Sequence, residues 1–596
     1  LIIFVVKHSG MKKYYYSLLM LMTVLPVVLR AQELPHRMTD AERALLPQYN
    51  AMRNSPPANP LFTTPPVSPV RTIAEWEELQ GLQITWAAYW SMLKEIVRHA
   101  KQETKVYIVT NNPTNVINYL NQPPAVDTQN VEFVIAPYNS VWCRDYGPWS
   151  AYTHDVDTLI TVDWIYNRPR PLDNVLPAVF ATLLNTPFYE TTVAPWDLVH
   201  TGGNFMTDGF GTGFSSELIL VENSPAGGFN VNHTPAEIDT IMKRFMGIHR
   251  YIKMTVLPYD VIHHIDMHMK LLDEETLLVG EYPPGIADGP QIEANLQYIL
   301  NNFNSVFGTP YKVIRIPMPS DGGLYPHNGG RYFTYTNSSF INKTIIVPTY
   351  NVPEDTTALR IYREALPGYK VVGINSLPSI GGLGALHCIN KEIGTADPLL
   401  ISHQPLSDTY DQVNPYTVQA LMKHRSGIQS ATLYYRTDTL QPYTAVPMMQ
   451  AATPDYWKGD IPAQPAGTRI YYYVEATSFS GKTQVRPMPA PAGYWYFDVL
   501  GVTTVAEPVS NIFEVKTPFP NPSKGITCIP VVLPSEMHVY ACVRDMTGRK
   551  VAEIHDGMLR AGENKLFINT TYAPAGAYLI QVMTPQGTQS VPLFVR

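Results

Sequence analysis

Covalent chemistry in this chain is best sought at Cys388, which ends the run Gly381-Gly382-Leu383-Gly384-Ala385-Leu386-His387-Cys388 in a protein with only four cysteines. A thiolate is the strong nucleophile among side chains. Four cysteines are too few for a disulfide framework in an exported chain, which favours a chemical role for the thiol. The same residue also fits a small buried hydrophobe, and the run alone leaves both readings open. Four other segments stand beside it, one of them, residues 202–209, without an obvious reactive group. His263-His264-Ile265-Asp266-Met267-His268, read as a strand, places His264, Asp266 and His268 on one face. That face suits a divalent metal, an acid/base histidine beside a carboxylate, or a satisfied polar patch. His200 and His387 are the only modest further ligands, so acid/base chemistry ranks above metal. Trp142-Cys143-Arg144-Asp145-Tyr146-Gly147-Pro148-Trp149 is a turn-forming run with a carboxylate among aromatics. Gly202-Gly203-Asn204-Phe205-Met206-Thr207-Asp208-Gly209 is a flexible turn, and Tyr166-Asn167-Arg168-Pro169-Arg170-Pro171 brings two guanidinium groups.

Together, Cys388, His264, Asp145 and Asp266 point to one reaction class. A histidine can protonate a departing amine, and two carboxylates match the planar donor fork of a guanidinium. A peptide-bond hydrolase needs one acceptor behind its histidine; two acids suit a cationic substrate. Hydrolysis of a guanidine to a urea plus ammonia uses all four groups.

The elements that must position them alternate from about residue 71 to 395. Strands are expected at Leu82–Trp86, Val106–Val109, Val131–Ile135 and Thr344–Val347. Helices are expected at Tyr89–Lys101, Asn115–Leu120 and Glu293–Phe303, which gives an α/β catalytic region over 71–398. Residues 32–70 are Pro-rich and polar, and read as a linker or extended arm. After about 400 the helices stop. Short aromatic runs at Ala431–Arg436, Ile470–Ala476 and Tyr494–Val499 suit a β-sandwich over 399–505. A third, β-rich unit follows Pro518-Phe519-Pro520-Asn521-Pro522 over 510–596. It holds Cys528 and Cys542, which geometry would have to bring together before they could pair.

Met11-Lys12-Lys13, the apolar run Tyr14–Leu29 and Ala31 form a signal-peptide pattern with a cut after Ala31, residues 1–10 being an upstream extension. The apolar run is shorter than the ~20 residues of a spanning helix. A net charge of −7 and a pI near 6.2 exclude nucleic acid as an electrostatic partner.

The motifs Trp142-Cys-Arg-Asp-Tyr, Ile165-Tyr-Asn-Arg-Pro-Arg-Pro, Thr201-Gly-Gly-Asn-Phe-Met-Thr-Asp-Gly, His264-Ile-Asp, Tyr335-Thr-Asn-Ser and Ala385-Leu-His-Cys fall in order over residues 70–395. In these the chain resembles the Porphyromonas-type peptidylarginine deiminases, which are similar to agmatine deiminases. The resemblance implies a five-fold α/β propeller (pentein), an immunoglobulin-like domain after it, and no cofactor or metal. It implies Cys388 as nucleophile, His264 as general acid/base, Asp145 and Asp266 as the guanidinium-binding pair, and Asn337 as an active-site asparagine. Trp142, Arg168, Arg170 and Ile262 fall among the substrate-binding positions. The last ~80 residues look like a type IX secretion sorting domain, which implies export to the cell surface or beyond and the secretion machinery as a partner. Where the family has Cys-Trp-Gly-Lys, this chain has Met267-His268-Met269-Lys270; His268 is expected to alter the pH profile or to attract metal. Cys143 is expected as a second, oxidation-sensitive thiol near the site.

For the substrate, Arg168 and Arg170 repel the second cation of agmatine and attract a C-terminal carboxylate. This favours peptidyl arginine, a C-terminal one above all, or free arginine, with citrulline as product. Agmatine deimination to N-carbamoylputrescine is the near alternative. A metallohydrolase built on His264-Asp266-His268 and a non-catalytic surface adhesin are the distant ones.

Overall fold

The computed structural model describes residues 34–53, 63–501, 513–571 and 573–596. The expected leader lies outside them. Among the described residues, no helix is long and apolar enough to cross a membrane.

Residues 70–394 form five sheets built on one plan. In each, a short strand pairs antiparallel with a central strand, and a helical crossover returns the chain to a third strand parallel to it. The triplets are Trp149–Thr153, Thr158–Tyr166 and Phe188–Thr191; Met206–Thr207, Thr212–Ser216 and Arg250–Met254; Met269–Leu271, Thr276–Glu281 and Lys312–Pro317; and Ser339–Ile341, Thr344–Thr349 and Lys370–Asn375. The fifth joins the two ends of this region: Lys391–Gly394 pairs antiparallel with Leu79–Thr85, which runs parallel to Lys105–Thr110. The crossover helices Trp90–Ala100, Leu176–Leu184, Pro235–Met246, Gly289–Asn302 and Glu354–Ala365 bury one apolar face each against these sheets. Pro235–Met246 shows why they start and stop where they do. Thr234 and Glu237 form a reciprocal capping box, and Gly247 ends the helix in the left-handed region at φ 69°.

Residues 400–498 contribute eight strands around a separate core containing Val418, Leu433, Ile461, Tyr472 and Phe497. Residues 514–595 form a further β unit whose core includes Ile529, Val539, Ile580 and Val582. Cys528 and Cys542, left open as a pair by the sequence, are both free and buried.

The expected linker contains a 14-residue helix, Asp40–Arg53. Thr39 caps it: the Glu42 carboxylate accepts the Thr39 N–H at 2.8 Å, and Thr39 Oγ1 accepts the Glu42 N–H at 3.2 Å. Glu42, Leu46, Tyr49 and Asn50 form its buried face. Leu46 and Tyr49 pack with Ile165, Val199, Phe229 and Val231 of the catalytic region. Its proline and polar content hid an amphipathic helix with a packing partner.

Candidate active site

Each sheet is entered through a short turn, and these turns converge. Asp145 lies in the turn Cys143–Tyr146, Gly203 in Gly202–Asn204, Asp266 in Ile265–Met267 and Cys388 in His387–Ile389. Asn337 stands just before strand Ser339–Ile341. All five residues are buried. Repeating one unit five times thus brings two carboxylates, an amide, a thiol and a backbone N–H to one place.

The Cys388 sulfur receives an N–H from Asn337 Nδ2 at 3.2 Å and lies 3.8 Å from Asp266 Oδ2. Asn337 Oδ1 accepts the backbone N–H of His387 at 3.0 Å, which fixes the amide's orientation. Burial, then the charges of Asp266 and Asp145, push the thiol well above its ordinary range. The glycine approach has a steric reason: a Cβ on Gly384 would lie 2.6 Å from the Trp142 ring and 3.1 Å from the Cys388 sulfur.

Asp266 is held from behind. His387 Nδ1 lies 2.7 Å from its Oδ2, and His387 Nε2 lies 2.9 Å from Glu75 Oε1. Lys270 closes the chain on Glu75 Oε2 at 2.6 Å. Among the described residues, Asp266 Oδ1 has no protein partner, although buried. His264 Nδ1 is likewise buried and unpartnered, 3.9 Å from Asp145 Oδ1, while its Nε2 lies 3.4 Å from Thr201 Oγ1. Burial holds His264 well below its ordinary range, with Asp145 opposing, so the ring is neutral at physiological pH. A Cβ on Gly203 would sit 2.4 Å from His264 Nδ1, so only glycine lets the turn pass this ring. Gly203 N–H also donates to Asp145 Oδ1 at 3.1 Å. Orphaned buried acceptors and donors cost about 1–3 kcal/mol each, and Asp266 Oδ1 and His264 Nδ1 are two such atoms at this site.

The remaining oxygen of Asp145 is taken by a residue the sequence did not signal. His36 Nε2 lies 2.6 Å from Asp145 Oδ2, and His36 Nδ1 lies 3.0 Å from the carbonyl of Leu383. Its ring stacks on Trp142 at 4.4 Å and 13°, and meets the His264 ring edge-on at 4.8 Å. Burial alone would raise the Asp145 carboxyl, but the rings of His36 and His264 outweigh it and hold the group far below the carboxylate range. Arg168 and Arg170 also meet this segment. Arg168 Nε donates to the His36 carbonyl at 2.9 Å, and Arg170 Nη2 to the Pro35 carbonyl at 2.7 Å. Arg170 Nε pairs with Glu42 at 2.7 Å, and Trp142 Nε1 donates to the Leu34 carbonyl at 2.9 Å.

The structure thus groups Cys388, Asn337, Asp266, Asp145, His264, Trp142, Arg168 and Arg170. Four expectations change. His264–His268 is a 3-10 turn followed by strand Met269–Leu271, not a strand, so the two-residue period fails. His268 is buried with both ring nitrogens unpartnered, and burial brings it down to about 4. The metal-type donors that group most closely among the described residues are His36, Asp145 and His264, within 4.8 Å of one another. Cys143 packs in the core with Tyr107, Tyr146 and Phe180, and burial raises its thiol, which makes it a structural residue. Ile262 lies in the apolar cluster with Met206, Ile265 and Met267, its N–H donating to Asp260 at 3.1 Å. Glu75 and Gly203 had no chemical signal in the sequence, and His387 was considered only as a metal ligand.

Comparison with known proteins follows this geometry. Residues 71–393 match the Porphyromonas-type peptidyl-arginine deiminase family, and residues 517–596 match the secretion system C-terminal sorting domain. Two proteins named "Putative agmatine deiminase" align with the chain. The one from Legionella pneumophila (strain Paris) is 24% identical over 274 residues, 44% of this chain and 75% of its own. The one from Vibrio parahaemolyticus is 22% identical over 291 residues, 44% of this chain and 78% of its own. The solved C. jejuni agmatine deiminase is 22% identical with a TM-score of 0.45, covering 55% of this chain and 96% of that one.

Proposed function

Since the chain belongs to the Porphyromonas-type peptidyl-arginine deiminase family, whose members hydrolyse amidine C–N bonds, we propose that it converts peptidyl or free arginine to citrulline and ammonia. The observation that carries this reading is the flat ring already held against Trp142 and Asp145, beside the orphaned Asp266 Oδ1 and His264 Nδ1. A guanidinium fits the same surface: its face stacks on the indole, and its N–H fork reaches both carboxylates.

The protonation states suggest an order of events. Cys388 rests as a thiol because burial, and then the charges of two carboxylates, oppose its ionisation. A bound guanidinium neutralises those carboxylates, lowers the thiol, and lets neutral His264 take its proton. The sulfur then attacks the guanidinium carbon. The C–N bond breaks, ammonia leaves with the proton carried by His264, and a thiouronium remains on Cys388. His264 next takes a proton from water, whose oxygen adds to the same carbon. The C–S bond breaks as the new hydroxyl gives up its proton to solvent, citrulline leaves, and the His264 proton returns to sulfur. Asn337 steadies the sulfur through its N–H, and His387, tied to Glu75, fixes Asp266.

Arg168 and Arg170 now hold main-chain carbonyl oxygens. In a substrate they would hold the same oxygen of a peptide, or the carboxylate of a C-terminal arginine, which favours these over agmatine. We read the five equivalent sheets as the blades of a pentein propeller, residues 399–505 as an immunoglobulin-like domain, and the sorting domain as the signal for type IX export. The test is citrulline formation from a C-terminal-arginine peptide, an internal-arginine peptide, free arginine and agmatine. Cys388→Ala must abolish all turnover, and Arg168→Ala must raise KM for the peptides more than for agmatine. Turnover retained in Cys388→Ala ends the covalent mechanism.

A further inference from the structure

Residues 34–53 do not merely pass the site; they fill it. We propose that this segment is an intramolecular pseudosubstrate, with His36 in the guanidinium position, which keeps the enzyme latent until the segment is displaced. The proposal rests on the deiminase reading above.

The His36 ring reproduces what a guanidinium offers. Both of its nitrogens face acceptors, the Asp145 carboxylate at 2.6 Å and the Leu383 carbonyl at 3.0 Å. The two nitrogens thus meet acceptors on two sides of a flat ring, as the N–H fork of a guanidinium would. One face lies on Trp142. Ring and carboxylate are both fully buried, so no water competes for their bond.

The backbone reproduces a peptide. The carbonyls of Leu34, Pro35 and His36 accept from Trp142, Arg170 and Arg168 in turn, and the His36 N–H donates to the Gly382 carbonyl at 3.0 Å. Chain lies on both sides of His36, so an internal residue reaches this position. Downstream, the helix Asp40–Arg53 acts as a clasp. Glu42 takes Arg170, Leu46 and Tyr49 enter an apolar patch, and Asn50 donates to the Gly228 carbonyl at 2.8 Å. Substrate must therefore compete with a tethered copy of its own contacts, at the high effective concentration of an attached ligand.

The experiment uses the full chain, as parent, His36→Ala and Glu42→Ala. It reads citrulline formation from an internal-arginine peptide and, separately, the rate at which a haloacetamidine labels Cys388. His36→Ala is expected to raise both rates about tenfold or more, the loss of one charge-assisted buried bond. Glu42→Ala, which leaves the ring untouched, should raise both by a smaller factor. A synthetic peptide of residues 34–53 should inhibit His36→Ala competitively, and the same peptide carrying alanine at the His36 position should inhibit far less. Equal rates in parent and variants, or slower turnover in His36→Ala, overturn the proposal while leaving the deiminase reading intact. If no protein deiminates and none is labelled at Cys388, the deiminase reading itself fails. Activation of the parent by chelator alone also overturns the proposal, because a metal ion on His36, Asp145 and His264 would then be holding the arm.

Discussion

At the scale of single residues, the charge around Cys388 decides when it reacts. Burial and two carboxylates hold the thiol above its ordinary value of 9.0, so at any pH below that less thiolate is present than in a free cysteine. Alkylation of Cys388 by iodoacetamide, measured in His36→Ala so that access does not limit it, should keep climbing beyond pH 9. Asp145→Asn removes one negative charge and should shift that profile to lower pH; a shift upward contradicts the arrangement. Space is as tight as charge here. An alanine at 384 would press on both Trp142 and Cys388. Gly384→Ala should cost about 1–3 kcal/mol of stability in a denaturant titration and at least tenfold in kcat/KM by citrulline assay. A variant with full activity would show that the loop yields easily.

At the scale of elements, the arm helix hangs on its cap. Thr39 and Glu42 satisfy each other's backbone N–H groups, and removing such a cap costs about 1 kcal/mol. Thr39→Ala touches no catalytic group, yet should speed amide exchange across Asp40–Arg53 about fivefold. Unchanged exchange would mean that packing of Leu46 and Tyr49 alone sets the helix's opening. This helix also marks where sequence reading stopped. Thr39-Asp-Ala-Glu42 is a capping-box signature in plain view, but Pro47 and the Pro-rich flanks suggested a linker. The crossover helices were legible where their hydrophobic period is regular, as at Trp90–Ala100, whose Met92, Leu93, Ile96, Val97 and Ala100 form one buried face. Cys388, His264, Asp145 and Asp266 stood out by chemical type, and Asn337 through the resemblance alone. The repeat that gathers them was not. Asp145, Gly203, Asp266, Asn337 and Cys388 share a position before a strand, but no residue type, so their equivalence shows only once the strands are paired. His36 was invisible for a related reason: a lone histidine some 350 residues from Cys388 acquires meaning only through tertiary contact.

At the scale of the whole molecule, the β domain docks on the catalytic region through an acidic corner. Ser402 Oγ donates to Glu274 Oε1 at 2.8 Å, Gln404 donates to Glu275 at 3.0 Å, and Lys423 and Lys482 pair with Asp155 and Glu78. Glu274 is the group with most to reveal. Burial, and then the neighbouring charge of Asp273, raise its carboxyl from 4.5 to about 8, against weaker opposition from Ser402 and Arg486. The folded protein therefore holds this proton more tightly than the unfolded chain does. Its contribution to stability is present in full below about pH 4.5 and is lost progressively as the pH rises to about 8. Glu274→Gln imitates the protonated side chain at every pH. The melting temperature of the variant minus that of the parent should be near zero at pH 4.5 and should grow steadily positive toward pH 8. Taking the difference cancels every other titrating group that the two proteins share. A difference that stays flat would mean that Glu274 is ionised at the junction, and that the two domains meet through a solvated charge rather than a buried acid.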